Sequence, residues 1–367
     1  MKVIYDSQVF AQQEFGGISR YIYALALHLS RVPGVEAEIV APIHINEYLK
    51  AADGSIVTGC YVRRLPKTAR VIKALSAGLC GPVARFKRPD LVHETYYAER
   101  PICRSKVPHV VTVHDMIEEL FPASFSSGYP VAQLKKLAVQ RADHIFCNSE
   151  NTRRDLIAMH PQCADRVTVT HLGYDDLPHT GLQALELIGA APFILHVGGR
   201  HGYKNFDGLL RAFASSPWLN ENFRLVCFGA GAFSASERSL IAGLGLSPSQ
   251  VIQLGGGDDR LAALYKGATA FVYPSKYEGF GIPPLEAMST DCPVICSKTS
   301  SIPEVVGDAG EYFDPDESQS IRSAIERVLQ SPSRRAELVS LGRDRCKHFS
   351  WERCAQETLA VYRRLVT

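Results

Sequence analysis

Residues Tyr277 to Met288 read Tyr-Glu-Gly-Phe-Gly-Ile-Pro-Pro-Leu-Glu-Ala-Met, and they follow Ala-Thr-Ala-Phe-Val-Tyr-Pro-Ser from Ala268 to Ser275. The earlier run is apolar and β-rich, and Pro274 stops it, so it reads as a short strand. Gly279 and Gly281 give permissive backbone and predict a loop. Pro283 and Pro284 suit a helix start and not a helix interior. Leu285-Glu286-Ala287-Met288 then reads as helix, with Glu286 on its first turn and Glu278 on the loop before it. A helix N-terminus is a natural seat for phosphate. An ionised carboxylate only accepts hydrogen bonds, so the two glutamates suit the diols of a sugar better than a phosphate.

Glu278 and Glu286 enclose seven residues, with Gly-Phe-Gly and paired prolines between them. This resembles the Glu-x7-Glu motif of retaining GT-B glycosyltransferases, above all the GT4 family of nucleotide-sugar-dependent enzymes. The resemblance implies an α/β chain of GT-B type: two Rossmann-like doubly wound parallel-sheet domains facing a cleft. Donor contacts then fall on Glu278, Gly279, Phe280, Gly281, Ile282 and Glu286, with Glu286 on the ribose and Glu278 on the transferred sugar.

Working outward, strands alternate with helices in both halves, as doubly wound sheets require. Val3-Ile4-Tyr5 reads as a strand, Gly16-Gly17 as a loop, and Tyr21 to Ser30 as a helix with Ile22, Leu25, Ala26 and Leu29 on one face. The loop lacks the Gly-x-Gly-x-x-Gly dinucleotide fingerprint, which argues against NAD. It resembles the N-terminal glycine loop of the GT4 family, which implies that Gly16 and Gly17 approach donor phosphate. Val107 to His114 reads as a buried strand running into His114-Asp115. A polar pair at the carboxyl end of a parallel strand faces the ligand crevice, although a lone histidine is more often structural. The resemblance puts His114 against the sugar.

Ser149 reads as a helix cap, and Val167 to Asp175 as the last strand of the first domain. Asp176 to Ala191 reads as a linker. Expected boundaries are 1–176 for an acceptor-side domain and 177–350 for a nucleotide-sugar-binding domain, with a terminal helix over 351–367 crossing back. Pro192 to Gly199 is a strand ending in glycines. Arg200 and Lys204 follow, and such a pair suits a pyrophosphate, guanidinium gripping two oxygens and ammonium adding a point charge. The segment resembles the family's Gly-x5-Lys-Asn element. Phe223 to Gly231, Val251 to Leu254 and Pro293 to Cys296 read as further strands. Ser318 to Gln330 and Arg334 to Lys347 read as helices, and Ser350 as the cap of the terminal one.

Residues 61 to 90 hold Arg63, Arg64, Lys67, Arg70, Lys73, Arg85, Lys87 and Arg88 against one acidic residue, Asp90, with apolar residues interleaved. Such a face either lies on an anionic membrane or is a solvated basic surface.

The 367 residues predict two domains, and 46% hydrophobic with 21% charged residues is ordinary for a globular chain. A net charge of +2 argues neither for nor against nucleic acid, and no nucleic-acid partner is expected. Ten cysteines without a Cys-x-x-Cys pair give no metal-site spacing, and Cys292 and Cys296 sit in an apolar strand. No secretory leader and no membrane-spanning run is read, so the expected place is the cytoplasm, with a peripheral position on the inner face of its membrane if the basic stretch binds lipid.

The reading is therefore a retaining hexosyltransferase acting on a nucleotide-sugar donor and a glycan or lipid-linked acceptor. Its catalytic residues are Glu278, His114, Arg200 and Lys204. The resemblance implies that it takes no cofactor and requires no metal. The Phe-Gly-Gly-Ile-Ser-Arg-Tyr opening resembles bacterial O-antigen and exopolysaccharide mannosyltransferases, which makes GDP-mannose the expected donor. The alternatives are a UDP-sugar enzyme and a non-catalytic sugar-nucleotide-binding protein of the same fold.

Overall fold

The computed structural model describes residues 1–52, 54–103, 106–125, 130–175, 177, 189 and 191–367. The chain forms two compact units, Met1–Gly173 with Ser350–Thr367, and Tyr174–Phe349. The linker expected over Asp176 to Ala191 falls largely on residues outside the described ones.

The first unit holds strands β1 (Lys2–Tyr5), β2 (Glu36–His44), β3 (Val57–Tyr61), β4 (Leu91–Glu94), β5 (His109–Val113), β6 (His144–Cys147) and β7 (Val167–Val169). They form one parallel sheet in the order β3-β2-β1-β4-β5-β6-β7. The second unit holds β8 (Phe193–Val197), β9 (Arg224–Phe228), β10 (Val251–Leu254), β11 (Ala270–Tyr273), β12 (Val294–Ser297) and β13 (Gly310–Phe313). Its parallel sheet runs β10-β9-β8-β11-β12-β13.

Strand order reverses between β1 and β4 in one sheet and between β8 and β11 in the other. At such a switch point the connections leave in opposite directions, and a crevice opens beyond the carboxyl ends of the strands. Strands such as Phe193–Val197 and Ala270–Tyr273 are buried along their whole length. Helices on both faces of a parallel sheet account for that burial and for the continuous apolar runs. In the second unit Phe206, Leu209, Leu210 and Phe213 pack with Leu225, Val272, Ile295, Ile321 and Ile325 into one core.

The closing helix, Trp351–Val366, is capped by Ser350, whose side chain accepts from the Arg353 amide. It belongs to the first unit. There the Tyr362 hydroxyl lies 2.5 Å from His93 Nδ1 and 3.3 Å from the Tyr5 hydroxyl.

Candidate active site

The second unit brings Lys204 and Glu278 together. Lys204 lies on the turn after β8 and Glu278 on the loop after β11, so the two come from the strands that flank the switch point. Lys204 Nζ donates to Glu278 Oε1 at 2.8 Å and Oε2 at 2.9 Å. The buried Tyr273 hydroxyl also hydrogen-bonds Glu278; burial and that carboxylate push the phenol well above its ordinary pKa. The loop is pinned from behind. The Glu278 amide donates to Ser300 Oγ at 2.9 Å, and Ser301 Oγ lies 2.8 Å from the Glu278 carbonyl and 2.9 Å from that of Phe280. Phe280 sits edge-on to Phe349, ring centroids 5.8 Å apart.

Gly281 has φ 110°, a left-handed value that favours glycine, and the helix Ile282–Ser289 starts directly after it. Glu286 is thus the fifth helical residue. It stands one turn deeper than expected, because Gly281 lets the helix begin before the two prolines. It is buried, and Tyr265 Oη donates to its Oε2 at 3.3 Å. Pro283 and Pro284 carry no amide hydrogen, so they remove two donors from the first turn. Ile282, the first residue of the helix, keeps its amide hydrogen.

Arg200 is placed differently from the expected phosphate grip. Its side chain is buried, and Nε donates to Glu237 Oε1 at 2.7 Å. Nη1 donates to the Gly229 carbonyl at 2.9 Å, and Nη2 lies 3.0 Å and 3.2 Å from those of Gly231 and Ala232. The guanidinium thus ties the glycine turn after β9 to the helix Ala235–Gly243. Glu237 was not anticipated, although Ser234-Ala-Ser-Glu237 spells a capping box, and the structure forms one there. Beside it, His196 on β8 is buried, its pKa lowered to about 4 by desolvation, and its Nε2 lies 3.4 Å from the Gly199 carbonyl.

Gly16, Gly17 and His114 belong to the first unit. Gly16 caps the helix Gly17–Ser30; a Cβ there would press on the Gln13 side chain, whereas one on Gly17 would meet open space. His114 follows β5 and is buried, and burial, with Lys135 nearby, lowers its pKa to about 3. Asn148 Nδ2 lies 3.1 Å from His114 Nδ1. The amide donates, so Nδ1 accepts and Nε2 carries the proton, leaving a neutral donor to offer a hydroxyl. Tyr21, on the helix that Gly17 opens, stands edge-on to this ring at 5.5 Å. At the switch point of this sheet, sequence reading missed Asp6. It is buried and accepts from the Thr95 amide at 3.1 Å and from Thr95 Oγ1 at 2.7 Å. Desolvation, with Glu94 nearby, raises its pKa to about 6. Among the described residues no three His, Cys, Asp or Glu side chains are grouped to hold a metal ion.

Two doubly wound parallel sheets, of seven and six strands, match the GT-B class of glycosyltransferase fold. The chain belongs to the glycosyltransferases: the Glycosyltransferase Family 4 model matches residues 15–176 and the Glycosyl transferases group 1 model residues 182–345. It is 33% identical over 237 residues to O-antigen chain mannosyltransferase B of Escherichia coli, a match spanning 62% of each chain. It is 25% identical over 321 residues to the O-antigen chain mannosyltransferase RfbU of Salmonella typhimurium, covering 86% of this chain and 88% of that one. Sucrose-phosphate synthase of Thermosynechococcus elongatus shares the fold, with TM-score 0.74 and 18% identity over 99% of this chain and 98% of that one.

Proposed function

We propose that this protein transfers a mannosyl group from GDP-mannose to an acceptor hydroxyl on a glycan or lipid-linked saccharide, with retention at the anomeric carbon, in cell-surface polysaccharide assembly. The observation that carries the reading is the Lys204–Glu278 pair across the β8/β11 switch point, with Glu286 on the helix that follows. The named relatives, both O-antigen mannosyltransferases, support mannose as the sugar.

In this reading the anomeric carbon–oxygen bond to the diphosphate breaks, and a bond to the acceptor oxygen forms on the same face. The acceptor's proton leaves with a phosphate oxygen of the departing diphosphate. Glu278 has both oxygens held by one ammonium, which makes it a poor nucleophile and a good fixed acceptor for sugar hydroxyls. Lys204 meets the charge growing on the diphosphate, helped by the start of the helix Ile282–Ser289. Glu286 holds the ribose. His114 donates from Nε2 to the sugar, and Gly16 and Gly17 let backbone approach the phosphates. Arg200 acts by shaping the Gly229–Ala232 turn. None of these roles calls on a metal. We place the protein in the cytoplasm, since all ten cysteines are free thiols.

The test is thermal stabilisation by a panel of nucleotides and nucleotide sugars. A ligand at 100 times its dissociation constant adds about 2.7 kcal/mol of stability. GDP and GDP-mannose should raise the unfolding temperature above the effect of UDP and UDP-glucose. The reverse order would overturn the donor assignment, and no shift with any of them would overturn the reading.

A further inference from the structure

The helix Ala69–Phe86 turns small residues inward and large apolar ones outward. Its buried side is Ile72, Ser76, Cys80 and Ala84. Val71, Leu75, Leu79 and Phe86 are instead 58, 52, 48 and 88% exposed. Spacings of four, four and seven put these four on one stripe of the helix. An ordinary surface helix has the opposite pattern. Leu65, just before the helix, is 58% exposed as well. Among the described residues these are five of eight exposed large hydrophobics, and the other three, Phe15, Leu120 and Met159, also lie in the first unit.

The charge around this stripe has one sign. No Asp or Glu occurs from Arg63 to Pro89. Arg63, Arg64, Lys67, Arg70, Lys73, Arg85 and Arg88 are all exposed. Lys87 is drawn aside by Glu38, 2.5 Å away. At the helix end a cavity of about 660 Å³ is lined by Gly81, Pro82, Arg85, Phe86, Arg88 and Ile102, so apolar walls meet two guanidinium groups. At the helix start, Ile72 packs with Ala11 and Ile45, and Arg64 lies 3.8 Å from Glu14, next to the Gly16-Gly17 loop.

We propose that the outward stripe Val71–Leu75–Leu79–Phe86, with Leu65 and the surrounding arginines and lysines, seats this protein on an anionic phospholipid bilayer. An apolar stripe framed by cations matches acyl chains framed by lipid phosphates. A polar protein partner would leave the leucines in water, and a second copy would bring like charges together. The seat stands beside the diglycine loop, which brings a lipid-carried acceptor to that loop. This inference goes beyond the sugar-transfer reading and does not depend on it.

The test is flotation with vesicles of phosphatidylcholine alone and of phosphatidylcholine with phosphatidylglycerol, without donor or acceptor. The wild-type protein should bind the anionic vesicles and come off as salt rises. Leu75→Glu/Leu79→Glu should weaken binding at least tenfold. Arg70→Ala/Lys73→Ala should weaken it about 25-fold, about fivefold for each cation removed. All four side chains are exposed, so both variants should keep the wild-type unfolding midpoint. Absence of binding to anionic vesicles at low salt would overturn the proposal. So would binding that neither variant weakens, or a dimer in sedimentation that Leu75→Glu/Leu79→Glu dissolves while vesicles stay unbound.

Discussion

Breaking the Lys204–Glu278 pair should separate binding from turnover. In the free protein the Lys204 ammonium is shared between both Glu278 oxygens at 2.8 and 2.9 Å, with the side chains 21% and 9% exposed. At an effective dielectric near 20, two charges about 3 Å apart attract by roughly 6 kcal/mol. Removing both from water offsets most of this. A charge-assisted hydrogen bond leaves a net of about 1.5–3 kcal/mol. Lys204→Met and Glu278→Gln should each destabilise the second unit by about 2 kcal/mol, and the double variant by little more than either alone. Trp218 lies in the second unit and Trp351 in the first, so unfolding in a Trp351→Phe background reports the second unit. The ligand results should diverge. Glu278→Gln releases Lys204 from its carboxylate, so GDP should bind as well as before or better while sugar transfer falls. Lys204→Met should lose GDP affinity and leave guanosine binding nearly unchanged. Calorimetry with both ligands and a transfer assay check this. Equal loss of GDP affinity in both variants would refute the pairing argument.

Glu286→Gln should lose about 1.5–3 kcal/mol of donor affinity with turnover at saturation little changed, since ribose contacts are shared by ground and transition states; steady-state kinetics would show it. Glu237→Gln should destabilise the second unit by about 1–3 kcal/mol, because it takes the charge partner from a buried guanidinium; denaturant unfolding would show it. The buried neutral His114 makes stability pH-dependent. Its pKa is depressed from 6.5 to about 3, so its contribution is complete above pH 6.5 and lost as pH falls toward 3. At pH 5 that loss is about 2 kcal/mol at 1.36 kcal/mol per unit. Asp6 works the other way, because its raised pKa favours the folded state as pH falls. A wild-type minus His114→Gln difference, taken at pH 7 and pH 5, cancels Asp6 and should isolate the histidine.

The fold was largely legible because parallel strands are short apolar runs stopped by glycine or proline. Val251–Leu254 and Ser318–Gln330 begin and end where the pattern changes. Val57–Tyr61 was missed because its residues are exposed or half-buried and include a glycine. Gly310–Phe313 was missed because its inner residues are polar and half-buried. The helix Val131–Arg141 was also missed, although Val131, Ala138 and Val139 share its buried face. Within the candidate site, Glu278, Glu286 and Lys204 were legible one by one from their motifs. That Lys204 holds Glu278 depends on β8 lying beside β11, which local sequence does not encode. The engagement of Arg200 with Glu237 likewise joins residues 37 apart through tertiary packing.

The most direct measurement of the central claim is transfer of labelled mannose from GDP-mannose into a glycolipid fraction of the producing cells, with wild-type protein and Glu278→Gln side by side. The account predicts mannose incorporation and stoichiometric GDP release with the wild type, and little of either with the variant. No incorporation by the wild-type protein, or equal incorporation by both, would contradict it.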